Sequence, residues 1–438
     1  MNCKCTIALV AMMTSVSVMK AQTKDQKFTQ LLHRAQGALT GVIVHDVFSP
    51  PVASRIYVYP HLACYVVLVR QSARAHRLDD TLKDFPKIPA APAGKISYPL
   101  AALYAFLYTG QHFIFSEKIF ADSGVVLISR AKALVGDPKV EARSLAYGKM
   151  VGDSILSWSQ RDQYASTRSL RRFTHSREEG KWLPTPPAYF QAVEPNWARL
   201  RPMVIDSVGQ FRPPAPLLYS TDTASLFHRQ AREVYAISQS LTPEQRQSAL
   251  FWDCNPFYVN VSGHLIFASK KLSPGGHWMS IAGIASRQMG LDNLGSSIAY
   301  LYTAIAIYDG FLCCWAEKYR SNYIRPETYI NARIDESWRP LLQTPPFPEY
   351  TSGHSVISGA AATVLTALFG DNFRYTDVTE EPYGLPGRNF NSFYEAAEQA
   401  AISRLYGGIH FHEAVSAGLA TGKSIGAGVA RKLDISPF

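Results

Sequence analysis

The chain has 438 residues, which is too long for one small core and predicts about two to three structural units. Hydrophobic residues make up 47% of it and the formal net charge is +10. The basic residues are scattered, apart from the short cluster Arg168, Arg171 and Arg172. This distribution favours small anions and argues against a nucleic-acid groove, which needs a continuous positive stripe.

The first 21 residues have the layout of a cleavable secretory signal, with Lys4, an apolar stretch over residues 6–19 and the small residue Ala21. The alternative is an ordinary buried first helix. A signal of this kind predicts a secreted or periplasmic protein. The cysteines that would remain lack the spacing of zinc ligands, so we expect buried free thiols, with one disulfide left open. They are Cys64, Cys254, Cys313 and Cys314.

Helical periodicity dominates the rest of the chain, and strand-like alternation is scarce. The clearest helical runs cover residues 98–120, 142–164, 231–241, 297–316, 352–369 and 393–406. Eight prolines within residues 181–217 are too many for regular structure there. The sequence therefore predicts an all-α protein with a helical half over residues 22–180, an extended connection over 181–220 and a second helical half over 221–438.

Residues 297–316 are long and apolar enough to suggest a transmembrane helix. Asp309 interrupts this window, the charged sequence EKYR follows it, and no comparable second or third span comes after it. A helix that is apolar all round also belongs at the centre of a larger bundle. We therefore expect a buried central helix and no membrane span after signal cleavage.

The segment WAEKYRSNYIRP, residues 315–326, places two basic residues seven positions apart. At about 100° per residue, Lys318 and Arg325 would project from one helix face, with Trp315 beside them. Pro326 disfavours helical geometry at Arg325, which puts that guanidinium near a helix end where it can turn inward. The alternative is a solvated basic face.

The sequence Ser352-Gly353-His354 lies between a proline-rich loop and an apolar helix rich in small residues. Ser352 is placed to cap that helix, and the free N–H groups of a first turn attract anions. Gly353 lets a backbone N–H approach an oxygen without a side chain in the way. The alternative is a capped core helix with a surface histidine.

The third motif is AISRLYGGIHFHEAVSAG, residues 401–418. The glycine pair at 407 and 408 should end a helix that carries Arg404, which places His410 at the start of the next one. The turn would let Arg404 and His410 converge. Alternatively, His410 and His412 are polar residues satisfied within a turn.

Together the three motifs supply what a tetrahedral oxyanion needs, namely cationic groups, oriented donors, a nucleophile and a general acid or base. In this order they resemble the superfamily of vanadium-dependent haloperoxidases and type 2 phosphatidic acid phosphatases. The flanking text FWDCNPF, SPGGHWM and IRPETYIN looks closest to secreted bacterial haloperoxidases, including iodoperoxidases. The resemblance implies two four-helix bundles with long irregular connections, and vanadate as the cofactor.

The resemblance also implies roles for individual residues. His410 would be the ligand of vanadium, or the nucleophile toward phosphate, and His354 the acid-base residue. The oxygens of the anion would be held by Lys318, Arg325, Arg404, the Ser352 hydroxyl and the Gly353 N–H.

Trp315 and Phe347 match the positions of the halide pocket in the family, and Asp253 is a weaker match to an acid that pairs with one of the arginines. Two positions depart from the family pattern. Thr351 replaces a usual proline. Ala414 replaces an aspartate that orients the histidine in phosphatases, a role that Glu413 or a backbone carbonyl could take.

Three functions follow as hypotheses. The first is vanadate-dependent oxidation of halide by hydrogen peroxide, with iodide as the main substrate, bromide weak and chloride absent. The second is a metal-free acid phosphatase that acts through a phosphohistidine, and the third is a noncatalytic secreted binding protein. The loss of an aspartate at position 414 weakens the phosphatase, and the presence of every required side chain disfavours the binding protein.

Overall fold

The computed structural model describes residues 22–72, 78–268 and 270–438. The predicted secretory signal, residues 1–21, lies outside the described residues. The part of the chain that is described forms fourteen α-helices and two small antiparallel β-hairpins. The all-α prediction is confirmed.

Six helices precede the proline-rich connection and eight follow it among the described residues. The first group is α1 (Lys24–His45), α2 (Pro50–Leu68), α3 (Tyr98–Gln111), α4 (Glu117–Val135), α5 (Pro138–Ser159) and the short α6 (Tyr164–Arg168). The second group is α7 (Leu226–Gln239), α8 (Pro243–Phe251), α9 (Pro274–Gln288), α10 (Asn293–Ser321), α11 (Pro326–Arg333), α12 (Gly353–Phe369), α13 (Phe393–Tyr406) and α14 (His412–Lys432). The hairpins are β1 (Val259–Ser262) with β2 (Leu265–Ala268), and β3 (Tyr375–Asp377) with β4 (Arg388–Phe390).

The two helical groups share one hydrophobic core. Helix α2 packs against α3 and α5 in the first group, α10 packs against α12 and α14 in the second, and α2 and α10 pack against each other. Residues 50–71 and α10 are the two helical stretches in the described part that are long and apolar enough to cross a membrane. Their most apolar windows are 100% and 94% buried inside the fold. Helix α10 contains residues 297–316 and lies in the interior of the fold, as predicted.

The proline-rich connection runs over the surface of α10 and is tied to it by a buried carboxylate. Asp309 accepts hydrogen bonds from the backbone N–H groups of Met203, Val204 and Ile205 at 2.8–3.2 Å. Buried N–H groups must be paired, and an extended segment without a strand partner has few other acceptors. The residue that interrupts the apolar sequence of α10 therefore serves to anchor the connection.

The prediction of one continuous helix over residues 98–120 is wrong, because the structure has two helices there. Helix α3 ends at Gln111 and α4 begins at Glu117. The Asp46 carboxylate accepts hydrogen bonds from two consecutive backbone N–H groups in the turn between them, at 2.9 Å each. A partner from a distant part of the chain thus takes the place of the helical carbonyls.

Two other predicted helices differ at their ends. The run over residues 142–164 is α5, which begins at Pro138 after an Asp137 cap and ends at Ser159. The run over 231–241 is α7, which starts five residues earlier, after a Ser225 cap. Both starts follow a side-chain cap, which extends a helix beyond the reach of its apolar periodicity. Helix α13 spans the predicted residues, Phe393–Tyr406.

Helices α12 and α14 approach each other closely at glycines. A Cβ atom on Gly422 would lie 2.1 Å from the carbonyl oxygen of Val356, and one on Gly359 would lie 2.7 Å from that of Leu419. Backbone contact at this distance is possible only without side chains. The packing fixes the position of α12, whose first turn carries the Ser-Gly-His motif.

All four cysteines in the described part are buried and free. They are Cys64, Cys254, Cys313 and Cys314, and the prediction of buried free thiols is confirmed.

Candidate active site

The first basic motif is divided between two helices, which corrects the prediction that Lys318 and Arg325 share one helix face. Helix α10 ends at Ser321 because Asn322 adopts a left-handed conformation, with φ of 47°. Arg325 is the N-cap residue of α11, followed by Pro326 at the first helical position. Proline disfavours helical geometry at the residue before it, so the chain turns there and carries Arg325 inward.

Lys318 is fully buried, and its ammonium group is surrounded by backbone oxygens. Its Nζ donates to the carbonyl oxygens of Pro348 at 2.9 Å, Glu349 at 3.0 Å and Thr351 at 2.6 Å. Burial, with a further contribution from the Arg325 charge, lowers the pKa of Lys318 to about 7. The loop before α12 is therefore fastened to the end of α10 by one cation.

Arg325 is also fully buried and connects three segments. Its guanidinium donates to the carbonyl oxygen of Phe347 at 2.9 and 3.0 Å and to that of Ile409 at 2.7 Å. The same group lies 3.0 Å from Nε2 of His410. Burial lowers the pKa of Arg325 to about 10.

His410 is held by a glutamate that the sequence analysis did not identify. Its Nδ1 lies 2.9 Å from Oε1 of Glu349, and the same oxygen accepts the N–H of Phe411 at 2.9 Å. A carboxylate at Nδ1 selects the tautomer with its proton on Nδ1, so Nε2 keeps its lone pair and receives the Arg325 N–H. Burial and the Arg325 charge hold the pKa of His410 well below its usual value.

Glu349 thus takes the orienting role that the sequence analysis offered to Glu413 or a backbone carbonyl. The Glu413 carboxylate instead accepts the backbone N–H of Leu217 at 3.1 Å. Burial raises the pKa of Glu349 to about 7, against the opposing effects of Arg325 and Lys318. The sequence does contain a sign of this role. Glu349 is an acidic residue two positions before the Thr351-Ser352-Gly353 sequence, inside a loop otherwise made of proline and aromatic residues.

His410 itself lies in the turn before α14 and not at the start of that helix, as the sequence analysis expected. Helix α13 ends at Tyr406, Gly408 has φ of 76°, and α14 begins at His412. The turn is longer than expected because it extends to Phe411, the N-cap residue of α14.

The first turn of α12 presents the Ser-Gly-His motif. The Ser352 hydroxyl accepts the backbone N–H of Ser355 at 3.3 Å, so Ser352 caps the helix. A Cβ atom on Gly353 would meet the Trp315 ring at 3.6 Å, an ordinary contact. His354 is half-buried, and its Nε2 is buried without a hydrogen-bond partner among the described residues. Burial and the Arg404 charge hold the pKa of His354 well below its usual value.

Arg404 completes the set of cations. Its Nη1 donates to the carbonyl oxygen of Trp252 at 2.7 Å, and its Nη2 lies 3.9 Å from Oδ1 of Asp253. Asp253 makes a closer ion pair with Lys271. The Nε of Arg404 is buried and has no partner among the described residues.

Trp315 and Phe347 form an apolar wall, with ring centroids 5.0 Å apart. The Trp315 indole donates to the carbonyl oxygen of Val193 at 3.1 Å, which fixes the ring. Lys318 Nζ lies 5.0 Å from the Phe347 ring centroid.

Six of the nine site residues from the sequence line one cavity. They are Trp315, Phe347, Gly353, His354, Arg404 and His410. Lys318, Arg325 and Ser352 are buried behind this lining. The set of side chains suits a tetrahedral oxyanion. His354 and Arg404, each with a buried nitrogen that has no partner among the described residues, line the cavity together with His410, and two more cations lie behind them.

The fold and this site were compared with known proteins. Residues 298–435 match the family model of the VCPO second helical-bundle domain. A crystal structure of a bacterial vanadium-dependent iodoperoxidase is 44% identical to this chain, with a TM-score of 0.88, over 93% of this chain and 97% of that one.

The chain belongs to the vanadium-dependent haloperoxidase family.

Two bacterial vanadium-dependent chloroperoxidase structures share the haloperoxidase fold at 16% identity. The holo-type structure has a TM-score of 0.68 and covers 89% of this chain and 93% of its own. The apo-type structure has a TM-score of 0.67 and covers 88% and 94%. A comparison with curated protein sequences gives no match.

Proposed function

We propose that this haloperoxidase oxidises halide with hydrogen peroxide, with vanadate as its cofactor and iodide as its preferred halide. The observation that carries the proposal is the lone pair of His410 Nε2, oriented by Glu349 and placed among buried cations. Overall, iodide, hydrogen peroxide and a proton give hypoiodous acid and water.

His410 would bind the vanadium through Nε2. The vanadate oxygens would be held by the Ser352 hydroxyl, the Gly353 N–H and three cationic side chains, Lys318, Arg325 and Arg404. When bound, vanadate supplies a Lewis acid that activates peroxide toward halide. The cationic side chains neutralise the negative charge of vanadate. Without them, that charge would repel the approaching halide.

His354 is the acid-base residue of the proposal. Its low pKa leaves the imidazole neutral near pH 7 and able to accept a proton from peroxide at the unpartnered Nε2. Phe347 cannot offer this histidine a hydrogen bond, so His354 alone supplies the proton transfer. An oxyanion in the cavity would stabilise the imidazolium once the proton has been accepted.

A groove of about 680 Å³ adjoins the cavity and shares Phe257 with it. The basic cluster noted in the sequence, Arg168, Arg171 and Arg172, lines this groove. Arg168 is paired with Glu194, while all three arginines are exposed. A basic groove raises the local concentration of anions, so we infer that halide enters there.

The preference for iodide draws on two observations. Oxidation becomes harder from iodide to bromide to chloride, so iodide needs the least activation, although a phenylalanine at the position of Phe347 accompanies chloroperoxidase-like sites in the family. The 44% identical structure is that of an iodoperoxidase. We expect iodide oxidation as the main activity, bromide as weak and chloride as absent.

Phosphate-ester hydrolysis is the second candidate, and the Glu349–His410 pair favours it. A carboxylate on Nδ1 makes Nε2 more nucleophilic, as attack on phosphorus requires. Glu349 therefore offsets the absence of an aspartate at position 414.

The deciding assay compares metal-stripped protein before and after addition of vanadate. We expect peroxide-dependent iodide oxidation only with vanadate, and inhibition of any aryl phosphate hydrolysis by the same vanadate. Hydrolysis without peroxidase activity at full vanadate occupancy would assign the site to the phosphatase. Chloride turnover equal to iodide turnover would overturn the halide ranking.

His354→Ala tests the acid-base role. We expect loss of peroxidase turnover with vanadate still bound through His410, as measured by vanadium content. The matched control is His412→Ala, because His412 is exposed and pairs only with Glu233 at the surface. Unchanged iodide turnover in His354→Ala would remove this histidine from the mechanism.

We also propose that the protein is exported to the periplasm or the medium, on the basis of the signal-like layout of residues 1–21. The mature N-terminus, read by mass spectrometry from the exported fraction, should follow Ala21. Intact protein that stays in the cytoplasm would contradict the proposal.

A further inference from the structure

A second cluster of ligand-type side chains lies beside the oxyanion cavity. Cys254, His277 and Glu380 are buried and each directs one ligand atom to a common point. The Cys254 Sγ lies 3.4 Å from His277 Nδ1 and 3.9 Å from Glu380 Oε1, and the last two atoms are 3.2 Å apart. None of the three has a role in the proposed oxidation of halide.

This triangle has the dimensions of one face of a tetrahedral zinc site. Zinc binds thiolate at about 2.3 Å, imidazole at about 2.0–2.1 Å and carboxylate at about 2.0–2.2 Å. Tetrahedral angles then separate the ligand atoms by roughly 3.3–3.6 Å. An ion above the triangle would reach all three atoms with shifts of a few tenths of an ångström, and water would complete the coordination.

His277 is arranged as metal-binding histidines are. Its Nε2 lies 2.7 Å from Oδ2 of Asp377, and its ring stacks on Trp252 at 4.4 Å. The carboxylate fixes the ring and places the proton on Nε2, which leaves the lone pair of Nδ1 toward Cys254 and Glu380. A lone pair and a carboxylate oxygen 3.2 Å apart need a positive charge between them, either a proton or a metal ion.

We propose that Cys254, His277 and Glu380 bind a zinc ion, with Asp377 as the residue that orients the histidine. One thiolate and one carboxylate neutralise the charge of Zn²⁺, which suits a buried site. The thiol proton and the proton held between His277 Nδ1 and Glu380 are both released to solvent when the ion binds.

The zinc would act on the oxyanion site by positioning. Cys254 follows Trp252, whose carbonyl oxygen accepts Arg404 Nη1, and Asp253, which pairs with the same arginine. Cys254 also lines the oxyanion cavity. An ion on Cys254 would fix this segment against α9 and the loop after β3, and so hold Arg404 in place.

The test is metal analysis of full-length protein that carries no histidine tag. After removal of metals with a chelator, we expect uptake of one zinc per chain in wild type and in Cys64→Ser, a buried thiol in the first helical group. Cys254→Ser and His277→Asn should lose the zinc. Cobalt in wild type should give a thiolate-to-metal charge-transfer band that Cys254→Ser lacks, with circular dichroism to verify folding.

Folded wild type that takes up no zinc at micromolar concentration would overturn the proposal and leave a proton between the ligands. Equal uptake in Cys254→Ser would overturn it too. If the variants do not fold, a cobalt complex of wild type without a thiolate band has the same consequence. Because the readout is zinc and not halide oxidation, the result does not depend on the proposed function. For the positioning role, zinc removal should weaken vanadate binding several-fold and zinc addition should restore it.

Discussion

At the scale of single residues, the orientation of His410 depends on Glu349, which binds its Nδ1 and the next backbone N–H. The pair resembles the carboxylate–histidine pairs of metal sites, in which the carboxylate fixes the tautomer and raises the basicity of the ligand. Glu349 lies at the end of the proline-rich loop and His410 in a turn two helices later. Their contact requires the loop and the turn to be packed together.

Glu349→Gln should weaken vanadate binding by roughly 10–100-fold, because a neutral amide polarises the imidazole less. The measurement is the dissociation constant of vanadate, from a titration of iodide oxidation. Glu413→Gln is the matched control, since that carboxylate bonds the N–H of Leu217 instead. An unchanged constant in Glu349→Gln, or an equal loss in the control, would show that Glu349 does not act through His410.

Lys318 should make the stability of the vanadate-free protein depend on pH. Its pKa falls from 10.5 in the unfolded chain to about 7 in the folded one. Between these values the unfolded chain binds the extra proton, so stability rises with pH, by at most about 1.4 kcal/mol per unit. Below pH 7 Lys318 is protonated in both the folded and the unfolded chain, so the full free-energy cost of burying its charge remains.

Urea unfolding of wild type and Lys318→Met from pH 7 to pH 10 measures this effect. The difference in unfolding free energy, wild type minus variant, should increase across that range, because methionine keeps the stem and carries no proton. A bound oxyanion should flatten the slope by raising the pKa of the lysine. A constant difference would mean that Lys318 keeps its ordinary pKa.

At the scale of elements, the contact between α12 and α14 determines where the Ser-Gly-His turn lies. The two backbones touch at Gly422 and Gly359, and α12 also packs against α10 and α13. Glycine weakens a helix, so its presence here reflects the need for a close approach.

Gly422→Ala should destabilise the protein by about 1–3 kcal/mol, because its Cβ would lie 2.1 Å from the Val356 oxygen and force the helices apart. Gly37→Ala in α1 is the matched control, with nothing within 4 Å of its Cβ. The control should stabilise by about 0.5–1 kcal/mol, since alanine is the better helix former. Thermal unfolding gives both values, and equal shifts would contradict close packing at Gly422.

At the scale of the whole molecule, α2 and α10 lie at the contact between the two helical groups. Both are long and mostly apolar in composition, and their most apolar windows are 100% and 94% buried. Each helix therefore depends on the other group to cover part of its surface. We therefore expect the two halves that the sequence suggests to fold as one unit.

A fragment with residues 221–438 alone should not form the native fold, although it contains all nine site residues that the sequence predicts. Without α2, one face of α10 is exposed to water, and a large exposed apolar surface causes aggregation. Circular dichroism, dye binding and size-exclusion chromatography would show this, and addition of residues 22–220 should restore a soluble complex. A fragment that unfolds cooperatively and binds vanadate would contradict the prediction.

Local sequence determined the helices and most of the residue types of the site. Apolar periodicity, the Ser352 cap and the glycine pair at 407 and 408 act over a few residues, so the chain alone predicts where α12 and α13 begin and end. The order of the three motifs also indicated an oxyanion site, because that chemistry needs a recognisable set of cationic and histidine side chains.

Only the tertiary structure decided which side chains meet. Glu349 reaches His410 across 61 positions of sequence, and Cys254 reaches Glu380 across 126. The Asp46 carboxylate binds the turn between α3 and α4 from 69 positions away. Such contacts form because the packing of α2, α10, α12 and α14 brings their loops to one place. The free energy of that packing comes from the whole hydrophobic core, so no local sequence pattern reports it.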